Sequence, residues 1–452
     1  MGTITSPDAS PSHTAGALVG WMPESGGRGT LTLVSSCSLT IFLCTWVVIH
    51  PRVSKRPTIR RLHKLALFLK TLVGPELIAV EALQEWSQAK KMKLSCAPFT
   101  GGQLKLIQAY FIGMLALRYR TPDGNRVIWP NQYTWLLEQG LITWEHHACW
   151  GLSVGDISDK SNADGTVKLA ALVQVSWFLA QCIMRAAHHL PLSQLESMTI
   201  GYIPLSAVTY SLWWLKPKDI MTPSIVDLPA MSEEQRTIFE DMAVSNEFDD
   251  EGLEGQDTLW GVWHLTPRVF EKEAEDVRRQ ETLERSLREI EERSRRRSKA
   301  TSQAVERERA GSSDSDEEAS VDLPDLLCKE IVISYWDPDL YRSKIWPLSC
   351  LMGSSFGALH LISWHSKFPT LVEEWLWRVA ALTSIFTLLI FMHFERVVFR
   401  WGGPKTLISL TTPVLYLVSR IVMMGGVIAA FRASDPEIYD TYVVSTYWIH
   451  AF

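Results

Sequence analysis

The chain has 452 residues, 46% of them hydrophobic and 21% charged, with 22 Pro, 26 Gly and 19 Trp. That apolar content excludes a disordered chain, and a formal net charge of −6 gives no footprint for nucleic acid. Charge is gathered into blocks while stretches of about 20 residues carry almost none, which argues against an ordinary soluble domain and favours a multi-span membrane protein.

Residues 1–30 are polar, contain Ser, Gly and Pro, lack a basic leader and read as a disordered tail. Six segments then suit the thickness of a bilayer: Leu31–His50, Lys168–Ala187, Ser197–Leu215, Trp346–Trp364, Trp375–Phe394 and Thr406–Phe431. Pro413 predicts a kink in the last. Leu65–Gln84 is also apolar but holds Lys70, Glu76, Glu81 and a Gly74-Pro75 break. Its Leu69, Leu72, Val73, Leu77, Val80 and Leu83 repeat at helical spacing, and spanning would bury too many charges. It therefore reads as an interfacial amphipathic helix.

Lys and Arg agree with that choice. Arg52, Lys55, Arg56, Arg60, Arg61 and Lys64 follow the first span, the charged 216–343 loop follows the third, and Arg396, Arg400 and Lys405 follow the fifth. The connections 188–196 and 365–374 hold between them one Lys and no Arg. This positive-inside pattern sets both termini on the non-cytosolic side. The expected fold is all-α: a polytopic membrane helix bundle of about six transmembrane helices, with the interfacial helix at 65–84. An N-terminal membrane part (31–215), a cytosolic loop (216–343), a C-terminal membrane part (346–431) and a tail (432–452) make up the chain. In the loop, acids and bases alternate as in a solvated helix. The stretch around Ser313 and Ser315 reads first as a plain linker; the acid three residues after each serine makes an acid-directed kinase the alternative.

Seven scattered cysteines without a C-x-x-C suggest neither a disulfide framework nor a zinc knuckle. The block Trp144-Glu145-His146-His147-Ala148-Cys149 lacks a second ligand pair at suitable spacing, so no metal or other cofactor is expected. Near the outer span ends Arg185, His188, His189, Glu196, His360, His365, Glu373, Glu374, Arg378 and Arg420 share one depth. Ionisable groups inside a bilayer are costly and pair inward, which predicts a polar site; the plain alternative is hydration at the headgroups. Arg420 cannot shed its charge and must find a carboxylate, a lipid phosphate or water; Glu373 is its nominated partner. Glu76 suits the first turn of a helix after Pro75, yet it also falls on that helix's apolar stripe.

Gly74–Glu76 (GPE), Ser161–Glu196 (SNADGTVKLAALVQVSWFLAQCIMRAAHHLPLSQLE) and Phe356–Arg378 (FGALHLISWHSKFPTLVEEWLWR) carry a resemblance, together with the terminal YDTYVVSTYWIHAF. They resemble a family of fungal multi-span membrane proteins, mostly without assigned activity. The resemblance implies architecture and a fungal source, not a reaction.

Two functions follow as expectations. One is a metal-independent, terpene-cyclase-like enzyme of fungal secondary metabolism, which starts the rearrangement of a lipophilic isoprenoid or meroterpenoid with an acid. Glu373 or Glu76 would be that acid, beside His360 and Arg420, with Trp177, Trp364, Trp375, Trp377 and Arg378 lining the substrate. The other is a transporter, channel or receptor using the same layer of charge. Expected partners are the bilayer and a lipophilic small molecule. Short spans favour the endoplasmic reticulum or another internal membrane over the plasma membrane.

Overall fold

The computed structural model describes residues 18–24, 28–51, 53, 57–122, 124–161, 165–242, 346–395 and 404–441. Ser313, Ser315 and the charged stretch expected to be helical lie outside the described residues. The described chain is predominantly helical, as the sequence pattern predicts, with one small sheet.

Helix α1 (Thr30–Trp46) has no cap from its own N-cap residue, Gly29; instead the Glu24 carboxylate accepts the Thr32 N–H at 2.8 Å. Helix α2 (Pro57–Val73) stops at Gly74, whose φ of −144° and ψ of 79° leave the helical region. Pro75 has no N–H to continue the ladder but suits a first helical position, so α3 (Pro75–Thr100) begins anew there. Lys70 on α2 and Glu81 on α3 form a buried ion pair although 11 residues separate them. On one straight helix they would stand ~16 Å apart at 1.5 Å per residue. The chain therefore doubles back at Gly74, and 65–84 is a helical hairpin and not the single interfacial helix expected. Lys70 and Glu81, two of the three charges that argued against spanning, neutralise each other inside it.

Then come α4 (Leu106–Gly113), β1 (Leu117–Thr121), β2 (Gly124–Val127), α5 (Pro130–Glu138), α6 (His146–Cys149) and α7 (Val154–Lys160). Helices α8 (Gly165–Ala187) and α9 (Gln194–Leu212) lead to β3 (Ser224–Val226) and α10 (Glu233–Asp241). The last part holds α11 (Trp346–Leu359), a 3-10 turn (His360–Ser363), α12 (Leu371–Glu395) and α13 (Pro404–Ala430), which runs on through Pro413.

The sheet has strand order β2-β1-β3, with β1 antiparallel to β2 (Arg118 opposite Val127) and parallel to β3 (Leu117 opposite Ser224). Phe111, Leu117, Ile128, Tyr133, Leu136, Leu152, Ile157 and Phe239 form its buried core. Residues 216–242 thus belong to a folded module and not to the charged loop expected from 216 onward. A second core joins α1, α3, α8, α9, α11, α12 and α13 through Cys37, Ala79, Phe178, Tyr202, Phe356, Trp377 and Met423.

At the end of this bundle away from the module, Val19 and Ser434 exchange backbone hydrogen bonds of 2.8 and 2.6 Å. Arg28 pairs with Glu196 at 2.5 Å, and Lys367 with Asp435 at 2.7 Å. Arg185 donates to the carbonyls of Pro191, Glu437, Ile438 and Asp440. The N-terminal segment expected to be disordered is therefore tied down at 18–24 and 28–29, against residues 432–440 of the C-terminal tail. The start of α1, the α8–α9 turn, the α11–α12 turn and the end of α13 share this end. At the module end, Lys216 pairs with Glu85 at 2.6 Å, Lys64 with Asp219 at 2.7 Å, and Lys218 donates to the Val47 carbonyl at 2.9 Å.

Among the described residues one helix, Thr166–Ala187, is long and apolar enough to cross a membrane, and Thr30–Trp46 and Val414–Ala430 are shorter apolar helices. Leu169, Leu172, Val173 and Ile183 on α8, Trp375, Val379 and Phe386 on α12, and Val418, Ile421 and Ile428 on α13 are exposed. Glu76, Arg185, Glu196 and Arg420 are buried.

Candidate functional site

The deepest polar group of the bundle is built at the tip of the hairpin. Glu76, in the first turn of α3, is wholly buried, and its Oε1 accepts from Arg420 of α13 and from the Tyr416 hydroxyl at 2.7 Å. Tyr416 and Arg420 stand four residues apart on one helix, so they face the same way. The guanidinium carbon lies 4.1 Å from the Phe356 ring centre and 4.9 Å from that of Tyr416, a cation held between aromatic faces. Tyr202 of α9 packs edge-on against Phe356 at 4.9 Å and donates to the Leu72 carbonyl at the end of α2. A Cβ on Gly74 would lie 2.5 Å from the Tyr416 hydroxyl oxygen, so this close approach needs glycine.

His360, wholly buried, donates from Nδ1 to the Phe356 carbonyl at 2.7 Å, which fixes its tautomer and turns Nε2 into an acceptor. Its ring lies 5.6 Å from that of buried Trp377. Glu76 Oε2, Arg420 Nε and Nη1, His360 Nε2 and Trp377 Nε1 are buried with no hydrogen-bond partner among the described residues. Buried polar groups are normally satisfied, so this concentration of open donors and acceptors in one layer marks a place for a ligand's polar atoms. A guanidinium that keeps its charge can hold an oxygen or an anion there.

Other expected site residues are placed elsewhere. Glu373 is not the partner of Arg420: it pairs with the exposed Arg432 at the far end of the bundle, where the first turn of α12 meets the end of α13. Arg378 pairs with Glu374, donates twice to the Trp364 carbonyl at 3.1 and 2.9 Å, and lies over Trp364 (5.1 Å) and the exposed Trp375 (5.5 Å). That is a surface cluster. Trp177 is half-buried on α8. Of the nominated residues, Glu76, His360, Trp377 and Arg420 gather within one layer of the bundle. Tyr202, Phe356 and Tyr416 were missed, and only the four-residue step from Tyr416 to Arg420 could have signalled one of them.

Charges near the two ends are also paired. Burial alone would raise the Glu196 carboxyl, but Arg28 and Arg185 outweigh it and hold the group below the usual carboxylate range. At the module end burial raises Glu85 and lowers Lys216, each against the pull of its partner. Their ion pair borders a partly open cavity of about 50 Å³ lined by Gln88, Ala89, Met92, Ala109, Tyr110, Gly113, Met114 and Pro130. In the module core His147 accepts the Tyr133 hydroxyl at Nε2 and donates from Nδ1 to the Trp144 carbonyl at 3.0 Å, and burial lowers its basicity. Among the described residues no group of three or more His, Cys, Asp or Glu is placed to hold a metal ion.

The interrupted hairpin and the buried charge pair define a helical protein with an interior polar centre. A family of unknown function (DUF8562) matches residues 4–97 and 151–250, less than half of the chain; the match covers α1 to most of α3 and resumes before α7, leaving out α4 to α6 and α11 to α13. No curated protein matches the chain, and no solved structure does.

Proposed function

We propose that the chain is a six-crossing integral membrane protein whose α2–α3 hairpin enters the bundle from the cytosolic side and completes a binding site for the oxygen function of a lipophilic molecule. One observation carries this reading: large apolar side chains stand exposed on α8, α12 and α13 while Glu76 and Arg420 sit buried at the centre. Water would penalise such an arrangement, and hydrocarbon favours it. The grouping of helix ends also supports six crossings, since it brings N- and C-terminal segments to one side. An internal membrane and the fungal family resemblance belong to the same proposal.

The site's chemistry is best suited to binding and passage. A helix broken at depth, with its N-terminus beside a buried charge, is tolerated where it lines a cavity, and broken helices of this kind form the substrate sites of many transporters. Acceptor sequons inserted after Gly20 and after Asp440 are expected to be glycosylated in microsomes, and one at residue 310 is not. Any other pattern overturns the six crossings. For the site, wild-type protein purified in mild detergent is expected to carry a lipophilic compound, seen by mass spectrometry, that His360→Ala and Trp377→Phe lose. Equal content in both variants overturns the site.

A rearrangement of an isoprenoid is a second reading, favoured by the rings of Tyr202, Phe356, Trp377 and Tyr416 around one cation. In this arrangement Glu76 is already an acceptor twice over, and Glu373 is engaged at the far end. Conversion of linear prenylated precursors by microsomes, abolished in Glu76→Gln with protein level unchanged, is the result that would favour chemistry over passage.

A further inference from the structure

The cavity beside Glu85 and Lys216 has a feature that its neighbours in the fold do not require. Gln88, on the same face of α3 as Glu81 and Glu85, is 6% exposed and lines the cavity, yet neither its amide nitrogen nor its amide oxygen has a partner among the described residues. A buried side-chain amide left open is costly, so its position asks for a complementary group. The Tyr110 hydroxyl is spent on the Leu212 carbonyl at 2.8 Å. The Lys216 ammonium is spent on Glu85 and on the Trp213 ring face, 4.2 Å away. Ala89, Met92, Ala109, Met114 and Pro130 make the remaining wall apolar. One donor and one acceptor on neighbouring atoms, next to a charge pair that is already neutral and within an apolar wall, select an uncharged ligand with the reverse pattern.

We propose that this cavity is a binding site, separate from the Glu76–Arg420 centre, for a small uncharged molecule that presents a carboxamide or lactam edge to Gln88 from an apolar body. The proposal does not depend on membrane crossing, because every residue it uses lies at the module end of the fold.

Gly113 offers a clean control. It lines the cavity, its φ is unremarkable, and an added Cβ meets nothing within 4 Å, so a larger side chain fills the space without moving backbone. Benzamide is the probe, with N,N-dimethylbenzamide as the analogue that lacks the donor and benzoate as the charged one. Full-length protein in detergent is titrated by saturation-transfer NMR. Benzamide is expected to bind, and to bind at least about tenfold more weakly to Gln88→Leu. Gly113→Leu should not bind it while keeping the thermal midpoint of the wild type, and both analogues should compete poorly. Binding that is absent in the wild type, unchanged in Gly113→Leu, or equal for benzamide and its dimethyl analogue overturns the proposal.

Discussion

Replacing Arg420 by Met tests whether the Glu76 pair holds the bundle together. Arg420 is 2% exposed and Glu76 wholly buried, so neither charge has water to fall back on. Removing one member of such a pair leaves a naked carboxylate and costs about 3–5 kcal/mol, whereas replacing both by apolar groups of similar volume is often neutral. Arg420→Met is therefore expected to lower stability by about 3–5 kcal/mol, and Arg420→Met with Glu76→Leu to recover most of that loss. Tyr416→Phe removes the second donor to the same oxygen and should cost about 1 kcal/mol. Arg432→Met, at the exposed pair with Glu373, should cost less than about 1 kcal/mol and serves as the surface control. Steric trapping in bicelles reads these differences directly. A double variant no more stable than Arg420→Met, or an Arg420→Met no worse than Arg432→Met, would refute the reasoning.

Three further outcomes are expected. Gly74→Val places a side chain against the Tyr416 hydroxyl and Leu77, so it should destabilise by about 1–3 kcal/mol and open the α2–α3 turn to limited proteolysis; part of the loss returns in Gly74→Val with Tyr416→Phe. Exchanging Lys70 and Glu81 should leave the thermal midpoint within a few degrees of wild type, while Lys70→Leu alone lowers it well beyond that, because the pair needs both charges but not their order. His147 is less basic folded than unfolded, so below about pH 6.5 the unfolded module binds more protons and stability falls, with no such effect above that pH. Amide exchange of α5 and β1, corrected for intrinsic rates, should accelerate from pH 7.5 to 5.5 in the wild type and hold steady in His147→Gln.

The apolar runs made most of the long helices legible, and a charge-free stretch of that length leaves a chain few other options. The hairpin was not legible, because Lys70 and Glu81 look unpaired by helical spacing and find each other only once Gly74 has turned the chain. Arg420 was singled out as needing a carboxylate, a lipid phosphate or water, with Glu373 nominated; its partner is Glu76, a choice that depends on where the hairpin packs. Trp364, Trp375 and Trp377 cluster along the sequence, yet only Trp377 turns inward, since successive helical residues face different directions. The small sheet escaped notice because β1 and β2 are short and charged, although the Pro-Asp-Gly sequence at 122–124 was a usable signal.

The Glu76–Arg420 contact joins positions 344 residues apart, the second belonging to the final long helix. At ~5–20 residues per second of translation, the interval between the two is on the order of 20–70 s. Throughout that interval the nascent chain holds a carboxylate whose counter-ion has not been made, and in the proposed membrane arrangement lipid would penalise its early insertion. In the membrane-spanning arrangement proposed above, assembly of the centre would be ordered by synthesis, with the hairpin admitted only once the last helix has arrived.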